Sequence, residues 1–301
     1  MLQHDWSGVF TAITTPFRDD RSVDHAFLAR HVTWLVDHGV RGIVPLGSLG
    51  EGAALSASEK VEVLATCREA TRGRVPLVAG IGTLSTIDAV ALARGAERVG
   101  CDGLMVLPPY VYRGDARETL AHLRAVIEAT PLSCMLYNNP IAYGTDITPR
   151  QLGDLAEHAN LHAVKESSGD IRRVTEIGER HGDRFRVFVG LDDAIVEGIA
   201  AGAVGWIAGL VNALPDESVQ LFELAMDGTA EEARELYHWV LPLLRLDTVP
   251  KFVQLIKLVQ QEVGMGSERV RPPRLELAGA ERDDALTLIR AQLAALPQRI
   301  V

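Results

Sequence analysis

A chain of 301 residues, 47% hydrophobic and 23% charged, suffices for one large α/β barrel or two ordinary domains and excludes disorder. Its formal net charge of −10, with no Lys/Arg-rich run, argues against a nucleic-acid surface. The start, Met1-Leu2-Gln3-His4-Asp5-Trp6, lacks the basic and apolar regions of a signal peptide. Cys67, Cys101 and Cys134 lie far apart without disulfide or zinc spacing, so reduced core thiols in a cytoplasmic protein are expected.

Taken in chain order, eight short apolar runs read as strands, at residues 9–14, 42–46, 77–81, 103–107, 133–138, 162–166, 186–190 and 205–208. Amphipathic helical stretches separate them, for example 24–38, 58–72 and 86–99. Strands rich in Val, Ile and Leu on both faces are parallel strands, which need helical crossovers. Eight such units over residues 1–228 predict an α/β fold, a (β/α)₈ TIM barrel. The competing doubly wound sheet lacks support, because no GxGxxG follows the first strand. Residues 195–214 are nearly uncharged, yet they hold four glycines and Glu197. They read as a buried helix, a turn and a strand rather than a membrane span. Residues 229–301 form a C-terminal helical appendage, with helices expected at 229–246, 247–263 and 280–296 and a linker at Arg271-Pro272-Pro273-Arg274.

Only four lysines occur, and Lys60, Lys251 and Lys257 lie on helix-like segments where surface lysines are usual. Lys165 differs: it ends the apolar run Leu161-His162-Ala163-Val164 and precedes Glu166-Ser167-Ser168-Gly169-Asp170. A desolvated lysine sheds its proton more readily and attacks carbonyls, so one reading is a Schiff-base lysine. The other is a lysine salt-bridged to Glu166 or another acid. Chemistry in such barrels sits at the C-terminal strand ends. There the sequence places Gly47-Ser48-Leu49-Gly50-Glu51-Gly52, Pro108-Pro109-Tyr110-Val111-Tyr112, Tyr137-Asn138-Asn139-Pro140 and Lys165 itself. The glycine-rich turn is an anion nest for a carboxylate or an ordinary βα turn. Tyr137 is an acid/base phenol or a satisfied core tyrosine.

These residues resemble the dihydrodipicolinate synthase / N-acetylneuraminate lyase family. The resemblance rests on Gly47-Ser48-Leu49-Gly50-Glu51, Tyr137-Asn138-Asn139-Pro140 and Val164-Lys165-Glu166-Ser167-Ser168-Gly169-Asp170, with Gly190-Leu191-Asp192-Asp193 and the opening residues 8–17 in support. It implies a class I lyase, without metal or other cofactor, that binds a small 2-keto acid. It further implies a homotetramer, with no nucleic-acid or membrane partner. By the resemblance Lys165 forms the imine, Tyr137 transfers protons, and Ser48 links the tyrosine to the substrate carboxylate. Gly47, Ser48, Leu49, Asn139, Gly190 and Ile207 line the substrate site.

Three departures matter. Leu49 stands where the family commonly has a second threonine. Val111 stands where the synthase has a relay tyrosine, with Tyr110 and Tyr112 beside it. Ala142 stands where the synthase has an arginine that grips the aldehyde's carboxylate. The chain most resembles the 1-pyrroline-4-hydroxy-2-carboxylate deaminase subgroup, through Tyr143, Arg172, Arg173, Gly205-Trp206 and Leu241-Pro242-Leu243-Leu244. That resemblance implies dehydration and deamination to 2-oxoglutarate semialdehyde. The alternatives are 4-hydroxy-tetrahydrodipicolinate synthase or another pyruvate-dependent aldolase and, more remotely, a non-catalytic ligand-binding barrel.

Overall fold

The structure, a computed structural model, describes residues 1–228 and 230–295. Eight strands alternate with helices: β1 (Gly8–Ala12), β2 (Gly42–Val44), β3 (Val78–Ile81), β4 (Gly103–Val106), β5 (Ser133–Asn138), β6 (Leu161–Glu166), β7 (Arg186–Val189) and β8 (Gly205–Ala208). Each falls within two residues of its expected span at either end. Every pairing is parallel, in the order β2-β1-β8-β7-β6-β5-β4-β3, and a parallel bridge from Ile43 to Leu77 closes the ring. A doubly wound sheet would leave two edges open, so the TIM barrel is the fold.

The crossovers are α1 (His25–Asp37), α2 (Ala57–Thr71), α3 (Thr86–Val99), α4 (Ala116–Ile127), the short α5 (Pro140–Tyr143) and α6 (Pro149–Leu152), α7 (Arg172–His181), α8 (Ile195–Ala200) and α9 (Pro215–Met226). Their starts follow local chemistry. Ser56 caps α2 in a reciprocal box with Glu59, and Asp24 caps α1 through the Phe27 amide, each worth about 1 kcal/mol. Phe10, Trp6 and Phe188 pack against one another in the barrel's base, with ring centroids 5.2 to 6.1 Å apart. Residues 195–214 resolve into α8, a turn, β8 and a 3₁₀ turn. Among the described residues no helix is long and apolar enough to cross a membrane.

Three helices follow the barrel: α10 (Ala230–Leu244), α11 (Phe252–Glu262) and α12 (Gly279–Ala294). Of the expected helix ends, Thr229 and Leu296 lie outside the described residues. One continuous apolar core runs from Trp6 to Ile289, so these helices share the barrel's interior packing. Three expectations need correction. The segment 247–263 is not one helix: Asp247 ends a 3₁₀ turn and α11 begins only at Phe252, because Pro250 interrupts the helical hydrogen bonds. Lys257 is not a surface lysine. It is 2% exposed, and its ammonium pairs with Glu51 at 2.6 Å while donating to the Thr15 and Arg269 carbonyls.

Nor is the 271–274 segment a passive linker. The Arg271 backbone N–H donates to Glu51 Oε2, and its guanidinium donates to Glu59 and to the Ala54 and Arg21 carbonyls. The C-terminal part is thus tied to the turn after β2.

Candidate active site

The C-terminal ends of the strands open into a cavity of about 900 Å³. It is lined by every residue named as substrate-lining from the sequence: Gly47, Ser48, Leu49, Asn139, Gly190 and Ile207, together with Tyr137 and Lys165. Register explains the meeting of the last two, since Tyr137 on β5 pairs directly with Lys165 on β6. The ammonium stands 4.3 Å from the Tyr137 ring centroid. Lys165 is 6% exposed, and among the described residues no carboxylate lies within ion-pair distance of it.

Glu166, the partner that a purely structural lysine would need, points elsewhere. Its oxygens accept from the Ser168 amide at 2.6 Å and the Asn138 side chain at 3.1 Å, and burial raises its pKa. The Lys165 side chain instead lies along Gly190: a methyl added there would stand 2.6 Å from Lys165 Cε and 2.0 Å from Ser167 Oγ. Only glycine leaves the lysine its path into the cavity.

Tyr137 is 4% exposed, and its phenol oxygen accepts a hydrogen bond from Asn139 Nδ2 at 2.9 Å. Asn139 also caps α5 by accepting from the Ala142 amide. One residue therefore sets both the phenol and the short helix that carries Tyr143.

The Ser48 hydroxyl bonds to the Tyr143 phenol, with no bond to Tyr137. Tyr143 packs edge-on against Tyr137 and Tyr110, at centroid distances of 5.9 and 5.1 Å. Burial, and then the two neighbouring phenols, push the Tyr143 pKa well above its ordinary value. Burial raises Tyr110 to about 12. Of the tyrosines near the missing relay position, Tyr143 and Tyr110 reach the cavity. Tyr112 turns out to Glu118, and Val111 is 77% exposed.

The turn after β2 supplies the anion-binding geometry. Glu51 has φ of 52°, and its amide and that of Gly52 bond back to Ser48 and Gly47. Among the described residues the Ser48 and Leu49 amides donate to no other group, which leaves two N–H groups for a carboxylate.

Asp192 and Asp247 are the parts that sequence reasoning missed as site groups. Asp192 is fully buried and accepts from the Trp206 indole at 3.0 Å and from the Gly209 and Leu210 amides. Asp247 lines the cavity with its Oδ1 sealed from solvent and without a partner. Arg172 and Arg173 do not enter the cavity: they pair with Asp170 and Asp146.

A profile of the dihydrodipicolinate synthetase family matches residues 5–292. The chain is 35% identical over 270 residues to a 4-hydroxy-tetrahydrodipicolinate synthase from Methanothrix thermoacetophila, spanning 88% of this chain and 90% of that one. Dihydrodipicolinate synthase DapA-2 from Bacillus anthracis superposes with a TM-score of 0.92 at 28% identity, covering 99% of this chain and 100% of that one. YagE from Escherichia coli, a prophage protein of the dihydrodipicolinic acid synthase family solved with pyruvate, does so with 0.90 at 26%, covering 96% and 99%. The barrel, the lysine-bearing cavity and these likenesses agree: the chain is a Schiff-base-forming lyase and belongs to the dihydrodipicolinate synthetase family.

Proposed function

We propose that the enzyme dehydrates and deaminates 1-pyrroline-4-hydroxy-2-carboxylate to 2-oxoglutarate semialdehyde. The observation that carries this reading is the charge of the cavity lining. Asp193 and Glu197 belong to it, position 142 offers only an exposed alanine, and among the described lining residues the sole cation besides Lys165 is Arg274, 3.9 Å from Glu51. A semialdehyde with its own carboxylate would meet acids there. A substrate with a hydroxyl and an amine would meet acceptors and opposite charge.

Lys165 attacks C2 of the cyclic imine and the C2–ring-nitrogen bond breaks, freeing the amine on C5. Tyr137 takes a proton from C3, giving the enamine. Its electron pair moves to C3=C4, and the C4 hydroxyl leaves as water. Tautomerisation places an imine at C5, and hydrolysis there and at Lys165 releases ammonia and the semialdehyde, with one water consumed overall. The Ser48 and Leu49 amides hold the C1 carboxylate throughout.

A second reading, 4-hydroxy-tetrahydrodipicolinate synthase, is favoured by the names of the curated relatives; the deaminase reading rests on subgroup cues in the sequence and on the acidic lining. One assay separates them. With the cyclic imine, ammonia and a dehydrogenase-oxidisable aldehyde should appear. With pyruvate and aspartate semialdehyde, kcat/KM should be at least about a hundredfold lower, the equivalent of roughly 3 kcal/mol. Comparable synthase activity would overturn the deaminase reading. We also take the enzyme to be a homotetramer. Exposed Val61, Leu84 and Val111 rim an apolar cavity of about 750 Å³ beside α3, a surface that association would cover, and light scattering measures it.

A further inference from the structure

We infer that Asp247, carried to the cavity by the turn between α10 and α11, donates the proton to an oxygen leaving the substrate's fourth carbon. The inference rests on Lys165 as the imine-forming group, but not on the cyclic imine as substrate. Three geometric facts point to it.

The Asp247 carboxyl shares the cavity with Lys165 and Tyr137, and its Oδ1 has no partner in the described protein. That oxygen is closed off beside Gly209, so the carboxyl oxygen open to a bound substrate is the unsealed Oδ2. Space for that carboxyl has been left deliberately bare: a methyl on Gly209 would stand 2.2 Å from Asp247 Oδ1 and 2.5 Å from its Cγ. Finally, the Gly209 amide donates to Asp192, so the two acids meet across one residue.

Those neighbours set its protonation. Asp192 and Asp193 in the turn before α8 disfavour its anion, Lys165 on β6 favours it, and burial is the largest influence. The net effect lifts the Asp247 pKa well above the usual carboxylate range. Asp192, held by three N–H groups, keeps the charge of the pair, and Asp247 keeps the proton. A neutral carboxyl donates a hydrogen bond, which suits a departing hydroxyl.

In the step itself Tyr137 has already taken the C3 proton. The enamine pair shifts to C3=C4, the C4–O bond breaks, and the Asp247 proton completes the leaving water. The carboxylate left behind regains a proton from solvent after product departs. Because the acid must be protonated, its contribution is present below its raised pKa and is lost as pH rises through it.

The test compares Asp247→Asn and Asp247→Ala with the parent enzyme on two C4-hydroxylated compounds, 1-pyrroline-4-hydroxy-2-carboxylate and the linear 2-keto-3-deoxygluconate. Borohydride trapping with pyruvate, which has no fourth carbon, is the reference. Asparagine keeps a donor without a transferable proton, so kcat should fall about 10²-fold and KM should change less than about threefold. Alanine should lower kcat and raise KM. In both, the loss on the hydroxylated compound should exceed the loss of trapping at least about tenfold, and the alkaline limb of the parent's kcat profile should vanish. Parallel loss of trapping and turnover, an unchanged kcat, or no parental turnover of either compound would overturn the inference. Parental turnover of the linear acid alone, with the Asp247 effect intact, would sink only the cyclic-imine assignment.

Discussion

At the residue scale the site depends on two side chains aimed at each other across adjacent strands. Lys165 was legible in the sequence because an amine at the end of an apolar run is costly. Its proximity to Tyr137 was not, because register between two strands is a tertiary property. Buried position alone would have misled. Lys257 is at least as buried, and burial pulls its pKa down to about 8 against the opposing pull of Glu51. Yet Lys257 has three acceptors and no cavity, whereas Lys165 faces one. Tyr137, with its oxygen held by Asn139 at 2.9 Å, moves the C3 proton on the proposed reading. Tyr137→Phe should therefore slow turnover about 10²–10⁴-fold, the usual worth of a positioned acid/base, while pyruvate trapping stays within about tenfold of the parent's. Unchanged steady-state turnover would make Tyr137 a packing residue.

At the element scale, the strands were legible within two residues because a parallel barrel strand is apolar on both faces and glycine or proline bounds it. The C-terminal part was less so. Residues 264–278 have no periodicity, so nothing in the sequence announces that they cover the face of α11 bearing Lys257. Pro250 was the available signal that Asp247 lies in a turn. The consequence is a physical link: α11 and the 271–274 strap hold the back of the turn whose front carries Ser48, through Lys257, Glu51 and Arg271. Glu51→Gln leaves the Lys257 ammonium buried without its counter-charge and should destabilise by about 3–5 kcal/mol, read as a lower midpoint in urea unfolding. The double variant Glu51→Gln with Lys257→Met should recover part of that loss. A midpoint unchanged in the single variant would remove the ion pair from the account.

At the scale of the whole molecule, the barrel encloses titratable groups outside the cavity lining whose protonation couples to folding. His31 on α1 is fully buried, with Nε2 at 2.9 Å from the Asn212 carbonyl and Nδ1 without a partner. Burial lowers its pKa from 6.5 to about 4. Between those values the unfolded chain binds the proton and the folded chain does not, so stability is lost as pH falls from 6.5 toward 4. The full loss is about 3 kcal/mol at 1.36 kcal/mol per pH unit. His31→Asn should flatten that part of the stability profile in denaturant titrations at successive pH values; an unchanged slope would contradict it. All four lysines of the chain compete for one carbonyl. Pyruvate with borohydride, followed by peptide mass mapping, should place a single reduced adduct on Lys165 and none on Lys60, Lys251 or Lys257, and Lys165→Arg should abolish it because a guanidinium stays protonated. An adduct on Lys257, or none on Lys165, would contradict the account.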